Sequence, residues 1–228
     1  MKLVLFDCDG TLVDSEPRSF AAWTRLFDAH GAPWDEDLIR SFIGRRGTDV
    51  MPGLMHLFPG KTADALLAET LGYARAAHLP PLEPLAGAVE LVRRVTAHGT
   101  PVALVTSGGR GYAEEALGDA GVRSAFTLLV TADDVTRGKP DPQAYLMACE
   151  RLGVAPEEAV VFEDAPAGIT AAHAAGSVCV AVATTHTRTE LAGADLVVGS
   201  LAEIDWPVAL DGPASDYDRS EHTWRSAR

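Results

Sequence analysis

Six short runs of apolar residues, each followed at once by polar or small residues, set the strongest limit on how this chain can fold. The runs are rich in Val and Leu, and they lie at residues 3–6, 102–105, 128–130, 160–162, 178–182 and 196–198. Such runs are typical of strands that are buried on both faces of a parallel sheet. Helix-like stretches lie between most of them. The alternation therefore predicts an α/β fold with a doubly wound parallel sheet and helices on both faces.

Three of the intervening stretches carry clear helix-ending signals. Residues 83–98, 140–152 and 165–175 each stop directly before a glycine, which is the usual residue after a helix C-terminus. The middle stretch also begins with prolines, which suit the first turn of a helix. We therefore predict helices over these three ranges.

One long stretch breaks the alternation. Residues 14–82 carry helical spacings of apolar side chains and no strand-like run, and prolines mark their end. We predict a Rossmann-like core from residues 1–13 and 83–206, with an inserted helical cap at 14–82. The aromatic residues Trp23, Phe27 and Trp34 are expected in the core of this cap.

The C-terminal residues 207–228 differ in composition from the rest of the chain. They are rich in Asp, Ser and Arg and poor in apolar side chains, a composition that does not support a packed core. We predict a flexible tail over this range.

The charge balance limits the partners. Nineteen Lys and Arg residues stand against 32 Asp and Glu, so the net charge is −13. Nucleic acids and anionic membranes both select a basic surface, so neither is expected as a partner. No apolar run approaches the roughly 20 residues of a membrane span, and three scattered cysteines form no disulfide framework. We predict a cytoplasmic protein, monomeric or homodimeric, that acts on a small anionic molecule.

Polar side chains follow the predicted strands at one edge of the sheet, where open parallel sheets bind their ligands. They are Asp7, Asp9, Thr106, Ser107, Asp133, Asp134, Glu163, Asp164, Thr184 and Thr185. Several carboxylates at one edge would repel one another unless a cation neutralised them. Ligation by oxygen alone favours Mg²⁺.

A lysine adds a positive charge to this acidic edge. Lys139 lies in the sequence GKPDP after the third core strand, and it is one of only three lysines in the chain. A metal ion, a cation facing an anion and a carboxylate within reach of phosphorus are together the requirements of phosphoryl transfer. The pattern therefore points to a phosphorylated substrate.

The spacing of Asp7 and Asp9 suits a two-carboxylate mechanism. On an extended segment, side chains at i and i+2 face the same side, so both acids can face the site while Cys8 points into the sheet. One carboxylate can attack phosphorus, and the other can protonate the leaving oxygen and later activate water. Gly10 permits the tight turn that follows.

Each motif alone has an ordinary structural explanation, such as a turn or a helix N-cap, but all four occur in one order after strands. The sequence resembles the haloacid dehalogenase-like (HAD) hydrolase superfamily, in the branch with a helical cap after the first strand. The motifs are FDCDGTLVDSE, LVTSGGR, GKPDP and VFEDAPAGI, and the resemblance covers about residues 1–205.

The resemblance implies a role for each matching residue. Asp7 would be the nucleophile that forms an aspartyl-phosphate, and Asp9 the general acid and base, with its backbone carbonyl as a Mg²⁺ ligand. Asp164 would join Asp7 on the metal, and Glu163 would support the metal shell. The phosphoryl oxygens would be held by Thr106 and Lys139 and by the backbone N–H groups of Ser107 and Gly108.

The resemblance also implies a substrate class. An acid at position 9 argues for phosphate esters over haloacids, because a departing halide needs no proton. The motifs are similar to those of sugar-phosphate and glycerol-phosphate phosphatases, so we expect a Mg²⁺-dependent phosphatase with a cap that closes over small sugar or polyol phosphates. Arg45 and Arg46, in a loop similar to the specificity loop of helical caps, could reach the substrate or face solvent.

Two other functions remain open from the sequence. A phosphomutase of the β-phosphoglucomutase type shares the fold and the four motifs. However, Ser19 aligns with a histidine of that group that couples acid and base chemistry to closure. A non-catalytic protein that binds phosphorylated ligands is the third possibility, although it would not need the intact acid pair.

Overall fold

The computed structural model describes residues 1–42, 47–74, 79, 81–206, 217–218 and 223–224. It divides into two compact units. One unit comprises Met1–Asp14 together with the described part of Glu83–Arg228, and the other is Ser15–Leu82. The sequence analysis placed these boundaries at residues 13/14 and 82/83.

The first unit is built on a six-stranded parallel sheet. In chain order its strands are β1 (Leu3–Phe6), β4 (Val102–Val105), β5 (Phe126–Val130), β6 (Ala159–Glu163), β7 (Val178–Val182) and β8 (Leu196–Val198). Their order across the sheet is β5-β4-β1-β6-β7-β8. The predicted α/β fold with a parallel sheet is confirmed, and β1 lies between β4 and β6.

Burial on both faces explains why the strands are continuous apolar runs. All four residues of β1 are fully buried. Leu3 and Leu5 belong to the apolar cluster beneath one face of the sheet, so the alternation of side chains directs Phe6 to the other face. There the Phe6 ring stacks on Phe162 with centroids 5.0 Å apart.

Four helices accompany the sheet. They are α5 (Ala88–Ala97), α6 (Arg110–Asp119), α7 (Gln143–Leu152) and α8 (Pro166–Ala175). The predicted C-terminal ends of the helices are close, but two helices begin later than predicted: α5 at Ala88, not residue 83, and α7 at Gln143, not residue 140. α5 begins directly after Gly87, whose φ of +81° is not helical, and Pro142 disfavours helical backbone in residue 141, just before α7.

A short antiparallel pair of strands lies where the chain leaves and re-enters this unit. It pairs β2 (Val13–Asp14) with β3 (Glu83–Pro84). The sequence analysis found no strand here, since two-residue strands leave no periodic pattern.

The second unit is helical. Its helices are α1 (Glu16–His30), α2 (Glu36–Arg40), α3 (Gly47–Leu54) and α4 (Ala63–Ala74). Trp23 and Phe27 are buried in its apolar core, as expected. Trp34 is not: it is 38% exposed, and its Nε1 donates to Asp28 Oδ1 at 2.9 Å. The indole N–H needs a polar partner, and the carboxylate at the surface supplies it.

Two sequence predictions fall outside the described residues. Arg45 and Arg46 are not among them, and the tail is described only at β9 (Tyr217–Asp218) and β10 (Thr223–Trp224), which pair antiparallel. In the described part of the chain, no helix is long and apolar enough to cross a membrane.

Candidate active site

Three buried carboxylates meet at the ends of two neighbouring strands. Asp7 follows β1, Glu163 ends β6 and Asp164 comes next. Each offers an oxygen within 4.8 Å of the other two. Their residues are 6%, 1% and 3% exposed, respectively, so bulk water does little to screen the repulsion between them.

Lys139 is the cation that faces this acidic triad. Its Nζ donates to Asp7 Oδ1, to Glu163 Oε1 at 2.5 Å and to the Val105 carbonyl at 3.1 Å. The side chain is 9% exposed. The lysine therefore joins the ends of β1, β4 and β6, which places the predicted nucleophile in a fixed position relative to the predicted phosphate-binding cation.

Glu163 has a full set of hydrogen-bond donors. Its Oε1 accepts from Lys139 and, at 2.7 Å, from the Tyr145 hydroxyl. Its Oε2 accepts from the backbone N–H groups of Asp164 and Ala165 at 3.1 and 3.3 Å. A buried carboxylate with four donors is held in one orientation. Glu163 is therefore better suited to positioning Lys139 than to giving up these hydrogen bonds in order to bind a ligand.

The electrostatics of the triad follow from burial and like charge. Burial raises the pKa of Asp7 well above its usual range, and the carboxylates of Glu163, Asp164 and Asp9 raise it further, while Lys139 acts in the opposite direction. Burial and then Glu163 raise the pKa of Asp164 to about 8. Burial alone would lower the pKa of Lys139, but Asp7 and Glu163 outweigh it and raise that pKa above its usual value.

Two glycines make room for these acids. A Cβ on Gly10 would collide with the Asp164 carboxylate, and Gly10 also has a φ of +72°, which L side chains rarely adopt. A Cβ on Gly168, in the first turn of α8, would collide with the Glu163 carboxylate. The glycines in DCDG and DAPAG are thus explained by close packing around the acidic triad.

Asp9 is directed differently from Asp7. Its carboxylate Oδ1 accepts from the Tyr112 hydroxyl, whereas the group of three carboxylates within 4.8 Å consists of Asp7, Glu163 and Asp164. Asp9 is also more exposed than Asp7. The two acids of the DxD motif therefore have separate environments, as a nucleophile and a proton donor require.

The loop after β4 carries the remaining predicted phosphate-binding residues. Thr106 is buried, and its Oγ1 accepts from the Gly108 N–H at 2.9 Å. Ser107 lies between them and is exposed. This local bond closes a tight turn at the carboxyl end of β4, the strand next to β1.

The two acids after β5 have structural roles in the described chain. Asp133 Oδ2 accepts from the Arg110 N–H at 2.8 Å, at the start of α6. Asp134 Oδ2 accepts from Arg110 Nη2 at 2.8 Å and from Thr131. They hold the loops after β4 and β5 together, and they are not members of the acidic triad.

The loop after β7 also reaches the site, as the strand-end argument predicted for its threonines. Thr184 Oγ1 donates to the Gly10 carbonyl, and Thr185 Oγ1 donates to Asp164 Oδ2. His186 Nδ1 lies 3.0 Å from the Asp164 carbonyl oxygen. These contacts fix the DG turn and Asp164 against β7.

Three polar residues at the site were missed from the sequence: Tyr112, Tyr145 and His186. Tyr145 lies six residues after Lys139, on α7, and Tyr112 six residues after Thr106, in the first turn of α6. A tyrosine in an amphipathic helix reads as a core residue. Only the position of each tyrosine could have indicated a role at the site, because the first turn of a helix that follows a site loop stays near the end of the strand.

The residues of the triad suit a hard divalent cation. All three ligand groups are carboxylates, and when all three are ionised Lys139 balances only one of their charges, which leaves two negative charges that no other cation of the described residues pairs with. A dication with oxygen ligands would neutralise them. Since the oxygens of Glu163 already accept four hydrogen bonds, Asp7 and Asp164 are the better candidates for direct ligands.

Comparison with known proteins agrees with this geometry. The family model described as haloacid dehalogenase-like hydrolase matches residues 1–176. Validoxylamine A 7'-phosphate phosphatase of Streptomyces hygroscopicus subsp. limoneus is 46% identical over 206 residues, covering 90% of this chain and 97% of the relative. Hexitol phosphatase A of Escherichia coli (strain K12) is 40% identical over 202 residues, covering 88% and 91%.

Solved structures show the same architecture. CbbY from Rhodobacter sphaeroides, solved in complex with phosphate, matches with a TM-score of 0.79 and 26% identity, over 89% of this chain and 96% of that one. The chain therefore belongs to the haloacid dehalogenase-like hydrolases. The predicted enzyme class, a phosphoric monoester hydrolase, is confirmed.

Proposed function

We propose that this chain is a Mg²⁺-dependent phosphatase that hydrolyses small sugar or polyol phosphates through an aspartyl-phosphate on Asp7. The observation that carries the proposal is the buried contact of Asp7 with Lys139, which Glu163 holds in turn. Two relatives named above, for validoxylamine A 7'-phosphate and for hexitol phosphates, support the substrate class. The three cysteines are buried thiols, which suits the predicted cytoplasmic location.

The chain's own groups supply two displacements. A carboxylate oxygen of Asp7 attacks phosphorus, the ester P–O bond breaks, and the leaving oxygen takes a proton from Asp9. Asp9, now ionised, accepts a proton from water as that water attacks phosphorus, which releases inorganic phosphate and restores Asp7. Lys139 and the Thr106–Gly108 turn hold the phosphoryl oxygens.

Mg²⁺, when bound by Asp7 and Asp164, supplies positive charge beside the phosphoryl group. The protein's part is to hold both carboxylates close together and apart from bulk water. Their raised pKa values mean that protons and the cation compete for the same oxygens.

Stabilisation by Mg²⁺ should therefore increase with pH. A carboxylate whose folded-state pKa is raised stabilises the metal-free fold at low pH, and that stability is lost as pH rises through about 8, the pKa of Asp164. The rise in unfolding temperature caused by Mg²⁺ should be small near about pH 6 and larger near about pH 9. A shift in unfolding temperature that is equal at both pH values would contradict the metal assignment.

Exhaustive chelation of divalent metal should also stop turnover. Activity that survives chelation would contradict the metal assignment.

Hydrolysis can be separated from mutase chemistry by one incubation. Serine cannot take up a proton at neutral pH, so Ser19 cannot do what the histidine of the mutase group does, and the aspartyl-phosphate should be open to water. With β-glucose 1-phosphate, Mg²⁺ and no bisphosphate activator, we expect inorganic phosphate to form faster than glucose 6-phosphate. The reverse order would favour the mutase. If the protein hydrolyses none of three substrates, β-glucose 1-phosphate, a hexitol phosphate and an aryl phosphate, the result would favour the non-catalytic binding protein.

A further inference from the structure

Tyr112 is a polar residue at the site, in contact with Asp9, to which the two-displacement mechanism assigns no role. It lies in the first turn of α6, half-buried, and its hydroxyl donates to Asp9 Oδ1. Asp9 and Tyr112 are 103 positions apart in the chain, so the contact is a product of the fold. It joins the turn after β1 to the helix after β4.

The tyrosine ring is seated by the same turn that is predicted to hold the phosphoryl group. A Cβ on Gly108 would lie 2.7 Å from Tyr112 Cδ1 and 3.3 Å from Thr106 Oγ1. The ring thus occupies the space that any side chain at position 108 would need. Gly108 is held in turn by its N–H bond to Thr106, so the ring, the turn and Asp9 form one packed arrangement.

We propose that Tyr112 is a positioning residue for the proton transfer that Asp9 performs. This inference rests on the proposed function. The phenolic O–H holds Oδ1 of Asp9, which leaves Oδ2 to carry the proton. When Asp7 attacks and the ester P–O bond breaks, that proton passes from Oδ2 to the leaving oxygen. The hydroxyl keeps its own proton and continues to donate to the carboxylate that remains.

The leaving group provides a test that a purely structural role would not pass. An alkyl phosphate releases a strongly basic alkoxide, which needs a proton from Asp9, whereas an aryl phosphate with an electron-withdrawing ring releases a stable phenolate. The ratio kcat/KM reports only the steps up to loss of the leaving group. In Tyr112→Phe, kcat/KM should fall at least about 10-fold for glucitol 6-phosphate and stay within about twofold for 4-nitrophenyl phosphate.

The variant is chosen to leave packing unchanged. Phenylalanine keeps the ring that Gly108 accommodates and removes only the hydroxyl. Tyr73→Phe is the matched control, because Tyr73 also donates its hydroxyl to a carboxylate, Glu69 Oε1 at 2.7 Å, in a pair that contains no predicted site residue. Tyr73→Phe should retain wild-type kcat/KM on both substrates.

The outcomes separate this inference from the proposed function. If Tyr112→Phe lowers kcat/KM equally on both substrates, or on neither, the positioning role of Tyr112 is overturned. The phosphatase assignment still holds in that case, provided that the wild-type protein turns over the substrates. Wild-type protein that turns over neither substrate would instead overturn the phosphatase assignment. A selective loss on the alkyl phosphate supports both.

Discussion

Replacing Asp7 by Asn should lower kcat/KM by at least about 1000-fold, because the amide is a poor nucleophile and a weak metal ligand. The fold should survive the change. Asn is the same size as Asp, and its side-chain oxygen can still accept from Lys139. The substitution also removes one negative charge from a buried cluster of acids, where burial already raises the pKa of Asp7. We therefore expect the metal-free unfolding temperature to stay within a few degrees of wild type.

The control is the same substitution at Asp205, an exposed residue of the same unit. Asp205→Asn should keep wild-type kcat/KM. If Asp7→Asn retained more than about 1% of wild-type activity in a preparation free of other phosphatases, Asp7 would not be the nucleophile.

The second large effect is expected at Lys139, on stability as well as on activity. Lys139→Ala removes the cation that pairs with Asp7 and Glu163 and leaves two buried carboxylates without it. Removing one partner of a buried ion pair typically costs about 3–5 kcal/mol of the free energy of unfolding. Phosphate binding should be lost as well, since the ammonium is the predicted anion contact.

The stability loss in Lys139→Ala should depend on pH in a defined direction. Without the lysine, Asp7 and Asp164 lose the positive charge that lowers their pKa values, so they hold protons at low pH and repel one another once ionised. In metal-free protein, the loss measured by denaturant unfolding should therefore be smaller near about pH 5 than near about pH 8. Lys2→Ala is the control: Lys2 pairs with Glu158 at the surface at 2.6 Å, and such exposed pairs contribute no more than about 1 kcal/mol. Equal losses in the two variants would refute the buried role of Lys139.

The sheet could be predicted because its four central strands, β1, β4, β6 and β7, are buried on both faces. A run such as Val178–Val182 is then apolar at every position, and it contrasts with the polar residues that follow it. The candidate site could be predicted for the same reason, since strand ends of a parallel sheet converge. Lys139 was assigned to this edge from its position after β5 and is bonded to Asp7 and Glu163. The roles of these residues in catalysis stay predictions.

What could not be predicted depends on contacts between distant segments. Tyr112 meets Asp9 because α6 packs beside the DG turn, and no local pattern encodes that meeting. Similarly, Asp133 and Asp134 follow a strand as the site residues do, but Arg110 draws them into a structural network. Trp34 was assigned to the core together with Trp23 and Phe27, although its indole N–H is satisfied by Asp28 at the surface.

The covalent role of Asp7 is tested most directly by the stereochemical course of hydrolysis. A phosphorothioate ester of the substrate, made chiral at phosphorus by sulfur and one heavy oxygen isotope, is hydrolysed by the Mg²⁺-loaded enzyme in water that carries the third oxygen isotope, and the configuration of the product thiophosphate is determined. Two in-line displacements, first by Asp7 and then by water, each invert phosphorus, so the account predicts overall retention. Inversion would mean that water attacks the substrate directly, and it would contradict the aspartyl-phosphate on Asp7.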